Sequence, residues 1–271
     1  RGIYPYRDWV VRALNNNLPI DRFIEWQLAG DLQSKPTTEQ LIATGFVRMN
    51  PSTAEGGVIP AEFQAKNNFD RTETLGTVFL GMSMLCSRCH THKYDPITQT
   101  EYYQLMAFFN STSEGPLDGN KYEYAPVIKV PKDQVSWNDW LKLTVERDEL
   151  LSDAASIFNN VKSSRSDTKK KWSQSDEVAR LAMVVDEKKE WKNNALSIYK
   201  DAKDLSKRID NAQKSFTSTM IAKELDKPRD TKLLDRGEYN LPVGDTLRPD
   251  VLKVMGGLPE GAPRNRLGLA K

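Results

Sequence analysis

The sequence predicts a mainly α protein: a helical domain of the haem-c type, an inserted antiparallel coiled-coil hairpin and an extended C-terminal tail. Three observations carry that expectation. Apolar residues recur every three or four positions over most of the chain, Gly and Pro concentrate between the periodic stretches, and the only two cysteines and two histidines of 271 residues fall within seven positions. The boundaries expected are 1–134 for the first domain, 135–226 for the hairpin and 227–271 for the tail.

The elements follow in order. Trp9, Val10, Val11, Ala13 and Leu14 form a first helical face. Ile20 to Leu32 forms a second, with Asp21 placed as its cap, and Thr38 to Met49 a third, capped by Thr38 with Leu41, Ile42 and Phe46 inward. Gly56, Gly57 and Pro60 break the pattern before a fourth helix from about Ala61 to Met82, whose Thr77–Leu80 end is rich in β-formers. A fifth runs from about Thr98 to Asn110 on Tyr102, Leu105, Met106, Phe108 and Phe109, and a short strand is expected at Val127–Val130. From Val135 charge rises and the apolar residues become sparse but regular. Leu181, Val184, Lys188, Trp191, Ala195, Ile198, Ala202, Leu205, Ile209, Ala212 and Phe216 alternate three and four apart, a heptad seam with one polar fault. Its expected partner carries Leu143, Leu150, Ala154, Ile157 and Val161, with a turn through Ser163, Ser164, Ser166 and Asp167. The second arm is about twice as long as the first, so it must bend, break or find other partners. A spacer or docking arm without chemistry suffices to explain it. After Pro228 the chain is irregular and rich in Pro and Gly, which suggests a domain cut off at Lys271.

Charge narrows the function. Thirty-nine basic against thirty-seven acidic residues leave +2, too balanced to call for nucleic acid or an anionic membrane. No apolar run approaches the ~18 residues of a membrane-spanning helix, so membrane insertion is not expected. The chain opens without methionine and without an export signal, from which a processed piece of a longer protein is expected.

Cys86, Ser87, Arg88, Cys89 and His90 spell C-x-x-C-H, the attachment signature of c-type haem. Two thiols three apart suit the two vinyl groups of one porphyrin, and the adjoining imidazole suits its iron, so Cys86 and Cys89 are the expected thioether anchors and His90 the metal ligand. Arg71 and Arg88, with Arg48, are candidates to neutralise propionates. Tyr94, Phe79, Leu80, Leu85, Tyr102, Tyr103 and Phe108 are candidates to wall the ring, and Met82, Met84 and Met106 to ligate from the far side. His92, two residues from His90, is poorly placed for that far side. Three rivals stand beside haem. Zinc is the alternative cofactor, but it usually takes four ligands and no distant Cys or His remains. A redox dithiol expects a βαβ setting, which the helical flanks do not offer. The third rival is a purely structural cysteine pair.

The run GTVFLGMSMLCSRCHTHKYDPITQTEYYQLMAFFN, Gly76 to Asn110, resembles the core of the planctomycete-type cytochrome c domain proteins, the family known as domain of unknown function fifteen forty-nine. YPYRDWV from Tyr4, QLAGDL from Gln27, QLIATGF from Gln40, EGGVI from Glu55 and DRTETLGTVFLG from Asp70 are similar as well. The family segment C-x-R-C-H-x-H-K-[FY]-D-P is matched by Cys86, Arg88, Cys89, His90, His92, Lys93, Tyr94, Asp95 and Pro96. Val58 and Ala61 stand where the family often has acidic residues, which weakens any paired-carboxylate idea. PRDTKLLDRGEYNLPVGD from Pro228 and NRLGLA from Asn265 are similar to the opening of the partner domain that usually follows. The resemblance implies the middle of an exported protein, periplasmic or extracellular, whose electron partners are other redox domains or cytochromes, including parts of the same parent protein. The functions expected are electron transfer through a covalent haem, a haem-dependent oxidoreductase acting on a small oxidant or carbohydrate, or a zinc-stabilised docking module.

Overall fold

A computed structural model describes residues 2–53, 55–117, 124–160, 166–186 and 196–271. The chain is mainly helical and divides into two compact units, Arg1–Ile128 with Ser218–Lys271, and the inserted Lys129–Thr217.

In the first unit α1 (Tyr4–Asn15) opens with Pro5 in its first turn, where a missing N–H costs nothing. It turns Tyr6, Trp9 and Ala13 inward, and Trp9 stacks on Phe23 at 5.3 Å. Val11 and Leu14, expected on that face, are exposed. α2 (Ile20–Ala29) follows Pro19 without a side-chain cap; Asp21 lies inside the first turn, where its charge faces the helix dipole, and does not cap as expected. A 3₁₀ turn, Gly30–Leu32, ends it. α3 (Thr38–Ala43) has its capping box on Thr37 and Gln40, one residue before the expected Thr38, and runs into the 3₁₀ turn Thr44–Arg48. α4 (Pro60–Phe79) is helical through its β-forming end, and α5 (Gln99–Ala107) carries a second capping box, Thr98 with Glu101.

The tail does not begin a separate body. β3 (Thr231–Leu234) and β4 (Pro242–Leu247) pair antiparallel, and α10 (Arg266–Leu269) follows. Ala222, Leu234 and Leu252 lie in one buried cluster with Leu28, Phe69, Tyr102, Leu105 and Phe108. The expected breaks at 134/135 and 226/227 are therefore corrected to 128/129 and 217/218, and the second returns the chain to the first unit. Apolar burial of ~25 cal/mol per Å² outweighs the irregularity of a Pro- and Gly-rich tail.

β1 (Val127–Val130), as expected, and β2 (Thr217–Met220) stand at the two ends of the insertion and pair with each other. The second unit contains α6 (Gln134–Asn160), α7 (Ser166–Gln174), α8 (Glu177–Asp186) and α9 (Leu196–Lys214). Leu143, Leu151 and Ala154 of α6 are buried with Leu181 and Val184 of α8 and with Tyr199, Ala202, Leu205 and Ile209 of α9. α6 and α9 run antiparallel: Trp140 meets Phe216 edge-on at 5.0 Å, and Glu146 pairs with Arg208 at 2.6 Å. The long second arm breaks after α7, where the Asp176 carboxylate accepts the Ala179 N–H and starts α8 afresh. Lys188, Trp191, Ala195, Val161, Ser163 and Ser164 of the expected seam and turn lie outside the described residues, as do the side chains of Ile157, Ser166 and Asp167.

Candidate functional site

The C-x-x-C-H segment hangs from the end of α4. Beyond Leu80, Gly81 takes φ 65°, the Met82 N–H returns to the Gly76 carbonyl at 2.9 Å, and Met84 plugs into the core. A 3₁₀ turn, Leu85–Arg88, follows, and Cys89 N–H and His90 N–H both point back at the Cys86 carbonyl, 3.2 and 3.3 Å away. Three residues per turn put positions 86 and 89 on the same side, which is the reason the spacing works locally. Both thiols are free and exposed.

The turn is pinned from beneath. Tyr103 Oη donates to the Arg88 carbonyl at 2.9 Å and Gln99 Nε2 at 3.1 Å. The Arg88 guanidinium lies over the Phe69 ring at 4.4 Å and donates to Glu73 Oε1 at 2.5 Å, which also accepts from Tyr102 Oη at 2.9 Å. Burial works against the charge on Arg88, but hydrogen bonding to Glu73 and its carboxylate hold the guanidinium above its ordinary value. Burial, with the Glu73 charge behind it, drives the Tyr102 hydroxyl far above its own, so Tyr102 stays a neutral donor.

The two histidines differ in which nitrogen is left over. His90 Nδ1 lies 2.8 Å from the Thr91 carbonyl, which only accepts, so Nδ1 carries the hydrogen and Nε2 keeps its lone pair. His92 Nδ1 accepts the Asp95 N–H at 2.8 Å, so the hydrogen of the neutral ring is on Nε2. Its backbone N–H donates to Ile97, and its work is to close the turn that follows. His90 thus leaves Nε2 without a hydrogen bond among the described residues, whereas the His92 Nδ1 lone pair is taken by the Asp95 N–H.

The C-terminal segment supplies a wall that the sequence reading placed in another domain. The Arg236 carbonyl accepts the Cys89 thiol at 3.1 Å, and Arg236 and Gly237 take φ 50° and 75° to make that approach. A Cβ on Gly237 would meet Arg88 Cγ at 2.9 Å and Cys89 Sγ at 3.4 Å, so only glycine fits. Asp-Arg-Gly between Leu233–Leu234 and Leu241 was a hairpin signal in the sequence, though nothing there told what the hairpin covers.

Other candidates are not brought to the motif. Arg71 is buried and spends its guanidinium on the Val47 carbonyl at 2.9 Å, Thr112 Oγ1 and Asn50 Oδ1 at 2.8 Å each, and an ion pair with Glu114. Arg48 donates to the carbonyls of Ile221, Tyr124, Ala125 and Pro126. These two arginines are internal struts, and the propionate role expected of them is corrected: a buried guanidinium must be saturated by its own surroundings. Tyr102, Tyr103, Phe108, Met84 and Met106 belong to the core, whereas Leu85 and Tyr94 are 58% and 82% exposed. Neither the cavity of about 220 Å³ nor the one of about 30 Å³ is lined by Cys86, Cys89 or His90. Among the described residues no three His, Cys, Asp or Glu side chains are grouped to hold a metal ion. The donor set therefore fits the attachment of a haem, two free thiols on one side of a turn and an imidazole with a free Nε2, and it does not supply the arginine clamp expected around one.

Residues 1–114 match the family model PSCyt2, Protein of unknown function (DUF1549). The match runs from α1 past α5, takes in the whole Cys86–His92 segment and supports a likeness to that domain family over this span. It ends before the insertion and before the Arg236–Gly237 turn that packs on Cys89. No curated protein and no solved structure matches the chain.

Proposed function

We propose that this DUF1549-like domain binds a c-type haem, with Cys86 and Cys89 as thioether anchors and His90 as the axial ligand, and that it transfers electrons in an exported protein, periplasmic or extracellular. The observation that carries the reading is how the two imidazoles are engaged: the one inside C-x-x-C-H has its Nδ1 against a carbonyl and its Nε2 without a hydrogen bond among the described residues, whereas His92 has its Nδ1 taken by a backbone N–H. Two unbonded, exposed thiols on one side of a 3₁₀ turn support it. A haem bound there supplies one-electron transfer. The chain's own part is to hold the attachment turn rigid, through Tyr103, Gln99 and the Arg88–Glu73–Tyr102 chain, and to offer Leu85, next to Cys86, as exposed apolar surface. The electron partner is a second redox domain or cytochrome, in another protein or elsewhere in the same parent chain.

The test is a pyridine haemochrome spectrum of the full chain, produced with a cytochrome c maturation system, denatured and extracted with acidified organic solvent. Haem that stays with the protein is the expected result. Pigment that leaves with the solvent, or a colourless protein containing zinc instead of iron, overturns the proposal. His90→Ala is expected to lose the axial ligand and the low-energy absorbance pattern it sets, while His92→Gln, which keeps an acceptor for the Asp95 N–H, retains it; equal loss in both contradicts the ligand assignment.

A further inference from the structure

α4 sends successive side chains to different places. Arg71 and Thr72 turn into the protein, and Glu73 meets Arg88. Asp70 and Thr74, one turn apart and so on one stripe, face a cavity of about 220 Å³. Its other walls include Phe46, Val47, Met49 and Phe109. This cavity has no part in the haem reading.

The polar groups of the lining differ in what they have left to give. Arg71 is saturated and its charge is met by Glu114. Asn50 is engaged through both ends of its amide, accepting from Arg71 and donating to the Pro51 carbonyl at 3.0 Å. The half-buried Asp70 carboxylate, in contrast, makes no hydrogen bond and no ion pair among the described residues, and neither does the Thr74 hydroxyl. A carboxylate partly withdrawn from water and without an ion-pair partner favours a ligand that brings donors and a positive charge. An anion is repelled, and a neutral ligand leaves the charge uncompensated.

We propose that this cavity binds a small organic cation, a primary ammonium on a short apolar body, with Asp70 as counter-ion and Thr74 as a second acceptor. The three N–H donors of an ammonium suit a carboxylate and a hydroxyl on one helical stripe, and the Phe46, Val47, Met49 and Phe109 walls take the hydrocarbon. Burial raises the Asp70 carboxyl above its ordinary value, against the pull of Arg71 and with a push from Glu73, so the charged form that a cation needs is lost early as pH falls.

Titration of the full chain with n-butylammonium, followed by calorimetry and by chemical-shift changes, tests the assignment, with n-pentanol as an uncharged alcohol of similar length and butyrate as the anion. Saturable binding with a Kd on the order of 1 mM is expected for so small a probe. Pentanol and butyrate are expected to bind at least about tenfold more weakly, and Asp70→Asn to lose a similar factor. Pentanol binding as tightly as the ammonium, unchanged binding in a folded Asp70→Asn chain, or no saturation overturns the proposal. Should Asp70→Asn fail to fold, the unmodified chain decides: ammonium binding that does not weaken as pH is lowered through the acid range refutes the counter-ion.

Discussion

Both units of this chain bury an apolar cluster, but among the described residues only one of them also takes arginines into its interior. In the inserted unit the interior is aliphatic and local in pattern, Leu143, Leu151 and Ala154 against Leu181, Val184, Ala202 and Leu205, and the Arg208–Glu146 pair sits outside in solvent. In the other unit three arginines go inside with their partners. Arg266, fully buried, donates to the Leu28 carbonyl 238 positions away and pairs with Asp31 and Glu224; Arg71 pairs with Glu114; Arg48 gathers four carbonyls. An aliphatic interior tolerates small errors of packing, whereas a buried guanidinium accepts only the arrangement that satisfies it. The unit carrying the attachment turn is thus the one whose geometry is specified by long-range polar contacts.

That contrast is broken most sharply at Arg266. Arg266→Ala leaves the Asp31 and Glu224 carboxylates buried beside each other without their cation, and about 3–5 kcal/mol is the expected loss of stability for the first unit, read from urea unfolding followed by the NMR signal of its buried tryptophan Trp9. A loss under about 1 kcal/mol would show that these charges are solvated and that the polar interior is not what specifies the unit. Leu205→Ala, at a site 1% exposed in the insertion, is expected to cost about 3 kcal/mol through the cavity it leaves, with loss of helical circular dichroism at lower denaturant and no change at Trp9. A shift of both signals together would show that the two interiors unfold as one.

What could be read in the sequence follows the same division. The helices of both units were legible because a helix is a local object: periodicity showed α1 to α6 and α9, and α5 starts within a residue of the expected Thr98. Local pattern alone misplaced the α3 cap by one residue, since Thr37 and Thr38 are equivalent until Gln40 chooses between them. It also put Val11 and Leu14 inward, because the apolar side of α1 is wider than the stripe that is covered. The arginines were misread for a deeper reason. Their partners lie from 21 to 238 positions away, and no spacing rule connects Arg71 to Asn50 or Arg266 to Leu28. At the candidate site the chemical groups, Cys86, Cys89 and His90, were legible in five consecutive letters, while the groups that hold them, Glu73, Gln99, Tyr103 and the Arg236 carbonyl, come from elements whose convergence only the fold supplies.

Acid sharpens the comparison further, because Glu114 and Glu224 inside the first unit are shifted in opposite directions. Burial works against the Glu114 charge, but Arg71, Arg48 and the Thr112 hydroxyl hold its carboxyl below the ordinary 4.5. A depressed folded value means that the stability Glu114 contributes is complete above about pH 4.5 and is lost as pH falls through the folded value. Glu224 has the opposite sign: burial lifts it above 4.5 against the pull of Arg266, so its protonation favours the folded state as pH falls towards 4.5 and adds nothing further below it. Glu114→Gln separates the two. Oε1 carries the contacts to Arg71 and Thr112 while Oε2 is buried without a hydrogen bond, so an amide nitrogen at the second position forfeits no existing bond. The variant is expected to be less stable at neutral pH, and its gap from the native chain to close as pH drops below 4.5; a gap that stays constant in acid would assign the loss to packing instead of charge.

The smallest effect is expected where the contrast predicts none. Glu146 accepts both arms of the Arg208 guanidinium, at 2.6 and 2.8 Å, in fork-to-fork geometry that would be strong in the interior. Hydrogen bonding to Glu146 holds Arg208 above its ordinary value. Yet both side chains are 47% exposed, so water screens the attraction and each side chain gives up rotamer freedom to make it. Glu146→Ala places a good helix former in α6, and the gain in propensity offsets the lost pair. Its urea midpoint is expected to match that of the native chain in both low and high salt. A salt-dependent drop would mean that the insertion, too, relies on charge for its register, and that the division between a polar-specified unit and an aliphatic one is drawn in the wrong place.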